Sequence, residues 1–242
     1  MVYLMVEQQF AKYPWCQRTI RGIFEEVRKR RIHVQEVSEL PGGAEERSCV
    51  LLVGASEEWI NQTAREAGSL GLHPVVLSNR ETNSSGLSVS SVKMDIHSSM
   101  ELAVDYLRTL GRERLALFGV NPSASSDLWR ARRFGELTGR EGDVFFLGAS
   151  AAEIFDRFYE KIHCYDGVIC ASDYAAVSLV GRLREKNYAI PEKLYVVGYG
   201  DMFLSRLYRP SITSISDDYE SFGKAALAIC AMMEKNDAFS VV

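Results

Sequence analysis

The stretch "GVICASDYAAVSLVGRLREKNYAIPEKLYVVGYG", residues 167–200, decides the fold. It opens on a short apolar run and closes on another, "LYVVGYG". Between them lies a segment of helical length, "DYAAVSLVGRLREK", ended by a turn at Asn187 to Pro191. Two apolar strands joined by a helix form a βαβ unit, and such a connection makes the strands parallel.

The same alternation runs outward in both directions. Upstream, "RLALFG" (114–119) and "DVFFLG" (143–148) read as strands, with helices over "HSSMELAVDYLRTLG" (97–111), "DLWRARRFGELTG" (127–139) and "AAEIFDRFYEKI" (151–162). Nearer the N-terminus, "VYLMV" (2–6), "IHVQEV" (32–37), "CVLLVG" (49–54), "HPVVLS" (73–78) and "VSSVKM" (89–94) read as strands. Helices fall at 16–30, behind Pro14, and at 56–71, with Ser56 as N-cap and a glycine stop at Gly71. Downstream, "SITSIS" (211–216) is a last strand before a helix over about 218–235. About ten strands are many for one open sheet. The expected fold class is α/β, with two doubly wound parallel-sheet lobes.

Composition bounds the function. The 242 residues are 47% hydrophobic and 25% charged, with a net charge of −4. That is ordinary globular usage, and a nucleic-acid surface within the chain would normally be strongly basic. No apolar run reaches the roughly 20 residues that cross a bilayer. The N-terminus lacks the charged and apolar regions of a secretory signal. The five cysteines, Cys16, Cys49, Cys164, Cys170 and Cys230, are odd in number and show no CxxC spacing. They read as free thiols in a reducing, cytoplasmic compartment.

The sequence carries no recognisable catalytic or cofactor motif. No GxxxxGK[ST] occurs, and "GYGDMF" has Phe203 where a dinucleotide loop needs its third glycine. Ser56 is not centred in GxSxG. His33, His73, His97 and His163 show no paired metal spacing. The basic run "RKRR" (28–31) suits the negative end of a helix. The expectation is a non-enzyme with no cofactor, no metal and no catalytic residue.

Several motifs in order carry a resemblance. "YPWCQRTIRGI" (13–23), "HPVVLSNR" (73–80), "LRTLGRERLALFG" (107–119) and "WRARRF" (129–134) come first. Ser172-Asp173, Ile190-Pro191-Glu192, Val196-Val197-Gly198-Tyr199, Arg209-Pro210 with Ile212-Thr213-Ser214, and Gly223 follow. Together these resemble the effector-binding core of the lac repressor (LacI/GalR) family of transcription regulators, over residues 2 to about 235. The family's N-terminal helix-turn-helix and its closing strands have no counterpart here, so DNA binding is expected from a domain outside this chain.

The resemblance implies a fold like the periplasmic sugar-binding proteins. The N-terminal lobe is then 1–95 plus 218–236, and the C-terminal lobe is 96–217. A small polar ligand lies between them, with crossovers near 94–96, near 216–218 and beyond 235. Effector binding is expected to change the angle between the lobes and so the operator affinity of a homodimer, whose contacts include helix 16–30. The alternative is a solute-binding protein of a transport system. No membrane partner is implied.

The positions matching the family's ligand contacts are Gln8, Gln9, Tyr13, Trp15, Asn79, Met94, Ser126, Arg130, Ser172, Asp173, Tyr199, Gly200, Asp201 and Asp217. Arg130 offers a guanidinium fork to paired hydroxyls or a carboxylate; its other reading is an exposed helix arginine. Trp15 covers a ligand face or serves as a staple at a helix start. Asp173 and Asp217 are each either a contact or a helix cap. The family has acidic or amide groups where this chain has Gly200, Asn79 and Ser172. That loss of carboxylates brings an anionic sugar derivative, a phosphate or an acid, into range beside a neutral sugar. The strand end at 196–201 is expected to aim the Asp201 carboxylate at the ligand.

Overall fold

The computed structural model describes residues 1–43, 48–78 and 89–233. The chain divides into two compact units. The first is 1–94 with the segment from 218 onward, and the second is 95–217.

In the first unit the strands are β1 (Val2–Val6), β2 (Val34–Glu36), β3 (Cys49–Val53), β4 (His73–Ser78) and β5 (Ser90–Lys93). They are ordered β2-β1-β3-β4-β5 and every pairing is parallel. All five residues of β3 are buried, as a central strand covered on both faces requires. Alternate residues go to opposite faces. Val2, Leu4, Cys49, Leu51, Val53, Val75 and Leu77 pack under α1 (Pro14–Arg30) and α8 (Tyr219–Met233). Tyr3, Val50, Leu52 and Val76 pack under α2 (Glu57–Ser69).

Helix α1 starts with Pro14 at its first position, where the missing N–H costs nothing. It lies hard against α8. A Cβ on Gly22 would sit 2.0 Å from the Glu220 carbonyl oxygen, and one on Gly223 would sit 2.2 Å from that of Thr19. The two glycines therefore permit backbone-to-backbone contact between the first and last helices of the unit. Arg18 and Lys224 tie the same pair through Glu220 and Glu25, at 2.9 and 2.8 Å.

The second unit repeats the design. Its strands are β6 (Leu115–Val120), β7 (Val144–Phe146), β8 (Gly167–Cys170), β9 (Tyr195–Tyr199) and β10 (Thr213–Ile215). The order is β7-β6-β8-β9-β10, again all parallel. Helices α3 (Ile96–Thr109) and α4 (Ser125–Thr138) cover one face, with Met100, Val104, Leu107 and Phe134 meeting Leu115, Leu117, Ile169 and Val197. Helices α5 (Ala151–Glu160) and α6 (Asp173–Glu185) cover the other.

Each unit is thus a doubly wound sheet with the order 2-1-3-4-5, and the fold class is as read from the sequence. A short helix, α7 (Phe203–Leu207), follows β9 and was not legible in the alternation. In both units the order reverses beside the first strand. The crevice beyond the carboxyl ends of β1 and β3, and that beyond β6 and β8, are the places where such sheets bind ligands.

Candidate functional site

In the first unit the β1–β3 crevice is built around Glu7, a residue that the sequence reading passed over. Its carboxylate is almost wholly buried. Oε2 accepts the backbone N–H groups of Ala55 and Ser56 at 2.9 and 3.0 Å. Oε1 accepts the Ser56 hydroxyl and the Gln9 carboxamide N–H. Burial pushes the Glu7 carboxyl up, but the bonds from Ser56, Gln9 and Ala55 outweigh it and hold it below the usual glutamate range. No local pattern announces this, because Ala55 and Ser56 lie almost fifty residues away.

Ser56 occupies the cap position of α2, yet its side chain makes no capping bond. The N-cap position is as read from the sequence, but the Ser56 hydroxyl is given to Glu7 rather than to the helix. Gln9 is oriented by the same group and donates to Ser56 Oγ at 2.8 Å. Gln8 is exposed and makes only a long bond, 3.4 Å, to the Val6 carbonyl.

Beside this crevice Phe10, Tyr13 and Trp15 form a run of rings. Phe10 lies 5.5 Å from Tyr13 and 6.0 Å from Trp15, and Trp15 lies 6.4 Å from Tyr219. Tyr13 is exposed. Trp15 is half-buried and packs on the core of the unit, as does Met94. Asn79 lies outside the described residues.

In the second unit Arg130 stands on α4 and reaches the carboxyl ends of β9 and β10, where Tyr199 and Asp217 lie. It is buried, which removes the reading of an exposed helix arginine. Its guanidinium donates to Asp127 Oδ1 and to Asp217 Oδ2, both at 3.0 Å. It also lies over the Tyr199 ring, 4.1 Å from the centroid, within the range of a cation–π contact. Asp127 accepts the Asn121 N–H at 2.9 Å, which pins the group to the end of β6. Tyr199 donates its hydroxyl to Ser99. Burial and the charge of Asp217 push its phenol up, against Arg130 and Ser99, so it stays protonated. Ser126 is half-buried in the first turn of α4. Asp127 was also missed, although its i,i+3 spacing to Arg130 is a usable signal.

Asp217 is not a helix cap. The N-terminus of α8 is capped by Asp218, whose carboxylate accepts the Ser221 N–H at 3.0 Å. Asp173 is not a cap either. Ser172 caps α6, its hydroxyl accepting the Ala175 N–H at 3.2 Å. Asp173 is fully buried. It accepts the Met202 N–H and the Ser214 hydroxyl, both at 2.6 Å, and so anchors the β9–α7 loop from beneath. Burial pushes its carboxyl up, and the bonds from Ser214, Met202 and Ser205 do not recover the loss.

That loop does not aim a free carboxylate outward. Gly200 and Asp201 both take positive φ, +111° and +48°. The turn folds Asp201 back onto Arg206, whose Nε and Nη2 both reach its carboxylate. Its charge is matched inside its own loop, by Arg206. Among the described residues no group of three His, Cys, Asp or Glu is arranged to hold a metal ion. No described helix is long and apolar enough to cross a membrane.

Residues 104–240 match the family model of the periplasmic binding protein-like domain. The chain is 31% identical over 90 residues, 37% of its length, to the HTH-type transcriptional regulator RegA of Clostridium saccharobutylicum, covering 24% of that protein. It is 29% identical over 137 residues, 53% of its length, to the HTH-type transcriptional repressor PurR of Vibrio atlanticus, covering 41% of it. The chain thus spans less than half the length of these relatives. In structure it is similar to a LacI family transcriptional regulator of Enterococcus faecium solved with bound ribose, at TM-score 0.71 and 16% identity, over 99% of this chain and 92% of that one.

Proposed function

The chain belongs to the periplasmic binding protein-like domain family, and from that premise we propose that it is an effector-binding core of the lac repressor (LacI/GalR) type, the regulatory domain of a DNA-binding transcription regulator. The effector is a small polar molecule of the sugar class. It binds two states of the protein unequally and so shifts a homodimer between operator-competent and operator-incompetent forms. Operator contact belongs to a helix-turn-helix outside residues 1–242.

The observation that carries this reading is the Arg130 group. A guanidinium stacked on Tyr199 and held by Asp127 and Asp217 presents hydrogen-bonding groups at the carboxyl edge of the second sheet. Directional polar groups in a desolvated site set orientation for a ligand rich in hydroxyls. The relative solved with ribose supports the ligand class. One cation beside two carboxylates leaves no excess positive charge, so the ligand we propose is neutral. The anionic alternative loses its footing, because Arg130 already faces two aspartates.

A thermal-shift panel tests this. D-Ribose, D-glucose, sucrose and cellobiose are compared with ribose 5-phosphate, glucuronate and adenosine. A ligand at 100 times its Kd stabilises the fold by about 2.7 kcal/mol. A neutral sugar should raise Tm, and Ser126→Ala should shrink the rise. A rise with the phosphate or the acid alone refutes the charge assignment. A flat response to every compound refutes the sugar class.

A further inference from the structure

The crevice of the first unit makes a demand on the ligand that the family resemblance does not. Gln9 uses both protons of its carboxamide nitrogen inward, one to Glu7 Oε1 and one to Ser56 Oγ. The amide cannot turn over, because its carbonyl would then face the Glu7 carboxylate. Glu7 is itself fixed by the Ala55 and Ser56 N–H groups and the Ser56 hydroxyl. Gln9 is exposed, and no described residue hydrogen-bonds its Oε1. A glutamine with both donors consumed is an acceptor and nothing else.

We propose that Gln9 is a specificity-determining contact that accepts a hydrogen bond from a hydroxyl or N–H of the effector, and that Glu7 is the positioning residue that holds its carbonyl outward. The proposal rests on the effector reading above and adds the polarity of one subsite. A hydroxyl can donate there; a fluorine or ether oxygen of the same size cannot. An effector meeting Gln9 with an acceptor would leave two lone pairs opposed, and mispaired polar groups discriminate strongly.

The location supports the assignment. Glu7, Gln9 and Ser56 stand beyond the carboxyl ends of β1 and β3, at the reversal of strand order. Ser56 closes the network from the start of α2, so the acceptor sits on regular elements of the fold on one side. Glu7 stays ionised at neutral pH because its donors outweigh burial.

Two measurements test it. The first needs no ligand. The side-chain amide protons of Gln9, observed by NMR, should be shifted and slowed in exchange, and Glu7→Gln should release them to the ordinary values of an exposed glutamine. Ordinary values in the unaltered protein overturn the fixed orientation.

The second uses D-ribose and D-glucose with their singly deoxyfluorinated analogues, titrated by calorimetry. One fluorinated position should weaken binding about tenfold, the scale of one lost hydrogen bond. Gln9→Leu should weaken the parent sugar similarly and abolish the penalty at that position. Glu7→Gln should blunt the same penalty without erasing binding, a change in selectivity that mere loss of stability does not produce. If a sugar binds and Gln9→Leu leaves both affinity and selectivity unchanged, this proposal falls while the effector reading stands. If neither parent sugar binds, the sugar reading falls and this proposal with it.

Discussion

Two buried carboxylates, one at the carboxyl edge of each sheet, have been treated in opposite ways. Glu7 of the first unit is surrounded by N–H and O–H donors, and its carboxyl is held below the usual range. Asp173 of the second is buried as thoroughly, but its bonds from Ser214, Met202 and Ser205 do not offset desolvation, and its carboxyl is pushed up. Burial alone therefore does not fix the direction of a shift; the count and aim of donors decide it. Glu7 prepares a polar surface, whereas Asp173 props up a loop from below. Elsewhere in the same unit, the Arg130 group uses a third device, a cation shared by two carboxylates.

The largest expected effect comes from that third device. Arg130→Met leaves the buried Asp217 and the half-buried Asp127 without their common cation. Breaking a buried pair from one side costs about 3–5 kcal/mol, read as a fall in urea midpoint. The triple variant Arg130→Met, Asp127→Asn, Asp217→Asn should recover much of it. A loss under about 1 kcal/mol would show that solvent already screens the group, as it does for exposed pairs. The corresponding Glu7→Gln change keeps an acceptor and removes no counter-ion, so it should cost less.

Next in size is the packing beneath the loop. A Cβ on Gly198 would meet Asp173 Oδ1 at 2.1 Å. Gly198→Ala should cost about 1–3 kcal/mol, as overpacking does. In the Asp173→Ala background the same change should be nearly neutral, and that coupling is the measurement. Additive effects would mean that the two sites do not touch.

How much of this could be read beforehand follows from distance along the chain. The alternation of apolar runs and helical segments is local, and it yielded two parallel sheets of five strands. Several positions carried by the resemblance fall at or just beyond the carboxyl ends of strands, where Tyr199, Ser172 and Gln9 are found, while Arg130 reaches them from α4. Their roles were not legible. Ser172-Asp173 before a helix suits either residue as the cap, and only the extended backbone at Ser172, with φ −154° and ψ 161°, settles it. The same ambiguity at Asp217-Asp218 went the other way. Glu7 meets its partners 48 and 49 residues away, and Arg130 meets Asp217 at 87. No periodicity spans such gaps. The turn of Asp201 onto Arg206 needs two successive positive φ angles, of which the glycine in "YGD" announced only one.

The smallest expected effect, and the sharpest on the comparison, is in pH dependence. Glu7 has a folded pKa below its ordinary 4.5. Its contribution is therefore complete above that value and is lost as pH falls through the folded value. Asp173 has a folded pKa above its ordinary 3.8. The folded state holds its proton more tightly, so the cost of ionising it is absent below 3.8 and grows as pH rises to the folded value. Differences between variant and parent isolate each group from the other carboxylates. Between about pH 3 and 6, where free carboxyls titrate, the stability gap between the parent and Glu7→Gln should widen in the parent's favour as pH rises. The gap between the parent and Asp173→Asn should move against the parent over the same range. Slopes of the same sign would mean that the donors around Asp173 outweigh its burial after all, and that the two carboxylates are one device used twice.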